Sequence, residues 1–158
     1  MIREIAAVAA AGTIAWAGIS AVDNTTRNET GQIVESGDLG VFVTKVGDCI
    51  FELDRDADTV TILKAVPCSE PHQWQVIHKE NSKLTEYSQS AIDDEAVEIC
   101  DAAIDSLANT LDNLKLFEYQ DITDHYFLPT PESWENEDRI IDCLIGSETE
   151  IYYSSIFD

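Results

Sequence analysis

Basic side chains are scarce in this chain, with 9 Lys and Arg against 31 Asp and Glu among 158 residues and a formal net charge of −22. A field of that sign repels phosphate backbones and leaves no basic patch for anionic lipid, so nucleic acid is excluded as a partner. The sequence also lacks any Cys-x-x-Cys pair, which excludes the close dithiol of a redox centre. It lacks a Gly-x-Ser-x-Gly turn as well, and without such a context a Ser, His and Asp set can be drawn from almost any chain of this size. The deficit of bases is steepest in the second half, where residues 85–158 hold 19 acids and 2 bases against 11 and 6 in residues 23–84. Such acidity suits a domain kept soluble after export, and it leaves cations and basic proteins as partners.

What is present is enough apolar matter for a core. Hydrophobic residues make up 44% of the chain and include three Trp, five Tyr and five Phe, which argues against disorder. Behind Met1, Ile2, Arg3 and Glu4, residues 5–22 carry no charge. At helical rise that run covers about 27 Å, close to the thickness of a hydrocarbon core. It reads as a signal peptide or an N-terminal membrane anchor, residues 1–22. Gly12, Thr13, Gly18 and Ser20 weaken its apolar drive, and Ala15 with Ala17 or Ile19 with Ala21 offers small residues for cleavage, so both readings stay open. No cysteine near Val22 provides a site for lipid. Residues 23–38 are polar and read as a linker with two glycosylation-type sequons, Asn24-Thr25-Thr26 and Asn28-Glu29-Thr30. Residues 39–158 remain as one domain.

Residues 41–53 form a β-rich run ended by Asp54-Arg55-Asp56-Ala57-Asp58, and residues 59–66 a second strand, together a hairpin. Trp74, Val76 and His78 alternate with Gln73, Gln75 and Ile77 in a third strand. Ser90 and Asp93 resemble a helix cap, and Ala96, Cys100, Ala103, Leu107, Leu111 and Leu114 recur at spacings of three and four, predicting a helix over residues 91–113. Further strands are expected at 116–119, 126–128, 139–145 and 151–153. The predicted fold class is α+β, a small mainly antiparallel sheet with one packed helix.

Four cysteines allow three pairings. The hairpin brings Cys49 towards Cys68, and the apolar helix face aims Cys100 at the strand holding Cys143, so the favoured bridges are Cys49 to Cys68 and Cys100 to Cys143. Paired cysteines of this kind persist in an oxidising space, which sets the expected location as extracytoplasmic.

Val46-Gly47-Asp48-Cys49, then Val66-Pro67-Cys68-Ser69-Glu70-Pro71-His72 with Val76, and Trp134 with Asp138-Arg139 and Cys143 give the chain its one resemblance. In that order, over most of residues 45–145, they resemble the septum-formation domain family of actinobacterial exported or membrane-anchored proteins. Glu137 stands where the family pattern tends to have Gly before Asp-Arg, and Gln75 where it often has an acid. The resemblance implies a four-cysteine extracytoplasmic module linked to cell division or the envelope, with no reaction attached.

Three further candidates come from the residues alone. His72, four residues after Cys68, is read as fixing its corner by hydrogen bonding and not as half of a zinc site, since no second half exists. Trp134 is expected to pack under the Arg139 guanidinium or against the helix, with Asp138 or a helix acid as the ionic partner of Arg139. Asp54, Asp56 and Asp58 imitate the start of a calcium loop, but Thr59 stands at the required Gly and Ala65 at the required Glu. The expected function is therefore a non-catalytic binding or structural domain for an envelope or division protein, with no catalytic residue, metal or cofactor. The alternatives are an envelope polymer hydrolase using paired carboxylates from Glu132, Glu135 and Asp138, and a calcium-responsive adhesion module.

Overall fold

The computed structural model describes residues 2–6, 22–54, 59–119 and 121–158. Most of the apolar leader and the centre of the Asp54 to Asp58 turn lie outside the described residues. Among those described, no helix is long and apolar enough to cross a membrane.

Six strands build the main sheet: β4 (Gly37–Gly40), β5 (Cys49–Ile50), β6 (Ile62–Val66), β7 (Trp74–Asn81), β8 (Thr123–Pro129) and β9 (Ile140–Gly146). β1 (Ile2–Ala6) adds a parallel strand beside β8 and gives the order β1-β8-β9-β7-β5-β6-β4, in which every other pairing is antiparallel. β7 with β9 is the longest pairing of the sheet. Across one face lies α1 (Gln89–Ala108), which buries Ile92, Ala96 and Cys100. This is the N-terminal part of the face read from the sequence. The helix starts two residues earlier, because the Ser88 hydroxyl accepts from Ala91 N and caps it in place of Ser90. It ends at Ala108 and not at 113, so Leu111 lies beyond it and Leu114, 81% exposed, belongs to the next helix. The α+β class, the packed helix and both disulfides are as expected, with Cys49 bonded to Cys68 and Cys100 to Cys143. A bridge from α1 to β9 staples the helix to the sheet in the larger apolar cluster. The second cluster, around Leu39, Ile50, Trp74 and Leu144, fills the opposite face.

Several expected elements differ. The run 41–53 is not one strand: Val41–Val43 is a single 3-10 turn, and β5 has only two residues. Gly47 explains the break, since its φ of +98° reverses the chain where a β-run would have to continue. Residues 116–119 are not a strand either. α2 (Asn113–Glu118) occupies them, started by Asp112, whose carboxylate accepts from Leu114 N and Lys115 N. α3 (Pro131–Glu135) was not anticipated, although Thr130 before Pro131 is a helix-start signal. The 151–153 segment forms only a bridge from Tyr152 to His72.

Residues 23–38, read as a linker, are folded onto the domain. β2 (Thr26–Arg27) and β3 (Ile33–Glu35) make a small antiparallel pair, Ile33 enters the core, and Asn24 N donates to Asp38 O at 2.8 Å. Gly37 permits that close approach, because a Cβ there would sit 2.2 Å from Asn24 O. One apolar anchor in a polar segment has no periodicity, so the sequence pattern carries no sign of the hairpin.

A cleft over the first disulfide

The blocks at 46–49 and 66–72, far apart in sequence, meet around the Cys49 to Cys68 bridge. Gly47 N donates to Val76 O at 2.8 Å, and Asp48 N to Lys45 O at 3.0 Å, which closes a tight turn. The Asp48 carboxylate accepts from Lys45 N at 2.8 Å and takes both arms of the Arg27 guanidinium at 2.7 and 2.8 Å. This forked pair is nearly buried, and Arg27 also donates to Gly31 O at 2.8 Å. It is what clamps the small hairpin against the turn. Asp48 in turn holds the Arg27 guanidinium more firmly charged, against the cost of burial.

The opposite wall is the Pro67 to His72 corner. Glu70 N donates to Pro67 O at 2.9 Å, and His72 Nδ1 donates to Glu70 O at 2.9 Å. The backbone of His72 exchanges two hydrogen bonds with Tyr152, at 3.1 and 2.8 Å. Burial lowers the pKa of His72, against the Glu70 carbonyl, which favours the charged ring. With Cys68 in a disulfide, the pair is a structural corner and holds no ligand set. Among the described residues no group of three His, Cys, Asp or Glu is placed to hold a metal ion.

Gln75 ties the floor together. Its Nε2 donates to Gly47 O at 3.1 Å and to Ser155 Oγ at 2.8 Å, while Oε1 accepts from Ile156 N at 2.8 Å. An ionised acid in its place has no hydrogen to offer Gly47 O. The result is a cleft of about 780 Å³ lined by the hairpin, the 45–49 turn, the 66–70 corner and residues 155–158. Val34, Val46 and Phe157 line it with relative exposures of 48%, 51% and 48%.

Trp134, Arg139 and Cys143 lie away from this cleft. The Arg139 guanidinium stands 3.6 Å from the Trp134 ring centroid, as expected. Its hydrogen bonds go to the carbonyls of Trp134 and Asp138, at 2.9 and 2.7 Å, and not to the Asp138 carboxylate. That carboxylate instead accepts from Ser133 Oγ at 2.8 Å and Ile140 N at 2.9 Å. Glu137, just before it, has φ of +68°. Glu137 N donates to Trp134 O and Asp138 N to Ser133 O, so Glu137 holds the left-handed position that ends α3.

A polar cluster that the sequence reading missed lies beside them. Asp142, in an apolar strand, is buried 3.2 Å from Lys79 Nζ, which also donates to Thr44 O at 2.7 Å and Thr44 Oγ1 at 2.8 Å. Burial pushes the Asp142 pKa up to about 7 against the pull of Lys79, and burial also raises Asp138. Both acids line a void of only about 10 Å³. An acid inside an otherwise apolar strand was the available signal, and a lysine two strands away in sequence was not legible as its partner.

Compared with known proteins, the chain matches no family model, no curated protein and no solved structure.

Proposed function

We propose that this is an extracytoplasmic, non-catalytic domain that binds an envelope or division protein through the cleft over the Cys49 to Cys68 bridge. The two disulfides fit an oxidising compartment, to which the apolar leader takes the chain as signal or anchor; retained as an anchor it keeps β1 beside β8, and cleaved as a signal it removes that strand. The observation that carries the reading is the cleft itself, a concave surface with three half-exposed apolar side chains, Val34, Val46 and Phe157, over a rigidly tied floor. Membership of the septum-formation family is part of the proposal. In its favour, two of the three motif blocks converge on the cleft, and Glu137, in the third, takes the one backbone conformation that explains why glycine is favoured there.

The hydrolase reading is less well supported. Of its three carboxylates, Asp138 alone lines a void, and that space, shared with Asp142, is too small for a polymer, whereas the open cleft has its buried acid, Asp48, neutralised by Arg27. The test is a photo-crosslinking residue placed at Val46, and separately at Asp105, in the full chain expressed in an actinobacterial host. A discrete adduct with an envelope or division protein from position 46 alone is expected. No adduct there, or the same adducts from both positions, would refute binding through the cleft. Cleavage of peptidoglycan-type polymer by the purified protein, lost in Glu132→Gln, Glu135→Gln or Asp138→Asn, would replace binding by catalysis.

A further inference from the structure

α2 presents two large apolar side chains to solvent, with Leu114 81% and Phe117 71% exposed. They stand three residues apart and so share one side of the helix. The chain at 152–155 runs along the neighbouring side: Lys115 Nζ donates to Ser154 Oγ at 2.9 Å and Ser155 O at 2.8 Å, and the Tyr119 ring stacks on Tyr152 at 4.4 Å. Tyr153, between those contacts, is 63% exposed. The surface is therefore apolar at a point where the core is already closed beneath it.

Its charge is of one sign. Burial raises the Tyr119 and Tyr152 phenols first, and nearby acids add to it: Glu118 and Asp158 at Tyr119, and Glu150, Asp121 and Glu118 at Tyr152. The one base of α2, Lys115, is turned inward to the serines and to Glu118 at 3.7 Å. A second copy of the chain would bring the same acids face to face, and an anionic bilayer would be repelled in the same way.

We propose that the Leu114, Phe117 and Tyr153 face, rimmed by Glu118, Asp121, Glu150 and Asp158, docks a cationic amphipathic segment of a partner protein. Apolar side chains of the segment cover Leu114 and Phe117 while its Lys or Arg residues meet the rim. Asp158 borders both this face and the cleft, but the apolar side chains proposed to dock the segment are different ones, so the proposal stands whether or not the cleft binds anything.

The test uses the full chain in mild detergent and a synthetic Leu and Lys peptide about five helical turns long, with a Glu-for-Lys peptide as control, followed by fluorescence anisotropy. The Lys peptide should bind and the Glu peptide should not. Leu114→Ser with Phe117→Ser should weaken binding about tenfold or more, equivalent to 1.4 kcal/mol, with an unchanged melting temperature because both side chains are exposed. Glu98→Gln with Asp101→Asn, on the outer face of α1, should weaken it less than about threefold. Equal losses from the two double variants would reduce the effect to bulk charge and overturn the proposal. So would an unaffected Leu114 and Phe117 variant, self-association that this variant abolishes, or binding to phosphatidylglycerol vesicles through the same two residues.

Discussion

Glu137 shows how one backbone angle reads through to stability. It sits at the left-handed position closing α3, where a side chain costs about 1 to 2 kcal/mol and glycine costs little. Glu137→Gly should therefore stabilise the protein by about 0.5 to 1 kcal/mol, after allowing for the greater freedom glycine gives the unfolded chain. Urea unfolding checks this, and a loss of stability would mean that the glutamate makes a contact worth more than the strain. Asp142 works in the opposite sense. Its carboxyl titrates near pH 4 when unfolded and near 7 when folded, so the folded state holds the extra proton between those values. Its stabilising contribution is full below about pH 4 and is lost as pH rises through 7. Asp142→Asn should flatten the decline in unfolding midpoint that the natural protein shows over this interval. Identical pH profiles for the two proteins would show that Asp142 titrates normally. Neither position stands out in composition, but each was partly legible: Glu137 by what stands there in the resembling family, Asp142 by being an acid between Ile141 and Cys143.

Elements were legible where a period ran long enough. α1 declared itself through Ala96, Cys100, Ala103 and Leu107, and β7 through alternation about Trp74 and Val76. Ile92, on the same face and fully buried, is the sharper probe of that packing. Ile92→Ala should cost about 2 to 5 kcal/mol, whereas Asp105→Ala, exposed on the other side, should change stability by less than about 0.5 kcal/mol. Similar costs from both in thermal or urea unfolding would put the helix on the sheet by a different face. Short elements were read less well, for a physical reason. Phe117 and Tyr119 have strand-forming side chains, yet the Asp112 carboxylate caps the backbone at Leu114 and Lys115 and starts a helix of six residues there. The β2 and β3 hairpin was hidden because its hold on the domain comes from Arg27 reaching Asp48 across 21 residues, a long-range pair that no local pattern encodes.

At the scale of the molecule, few bases serve a heavily acidic chain, and several of them are used as internal fasteners. Arg27 pins the hairpin, Lys79 the Asp142 strand, Lys115 the segment at 154–155, and Arg139 covers Trp134. Their scarcity was visible in the sequence; their targets needed the fold. What leaves the acids outward is the same economy, and it is why the proposal made for α2 looks to a partner of opposite charge.

The two bridges also have an order. Cys49 joins Cys68 across a separation of 19 residues and Cys100 joins Cys143 across 43, without interleaving. A chain entering an oxidising space N-terminus first exposes Cys49 and Cys68 while Cys100 is still to come, so pairing each cysteine with the next to arrive gives the native set. Formed in that order, the native pairing is reached without reshuffling the first and second cysteines.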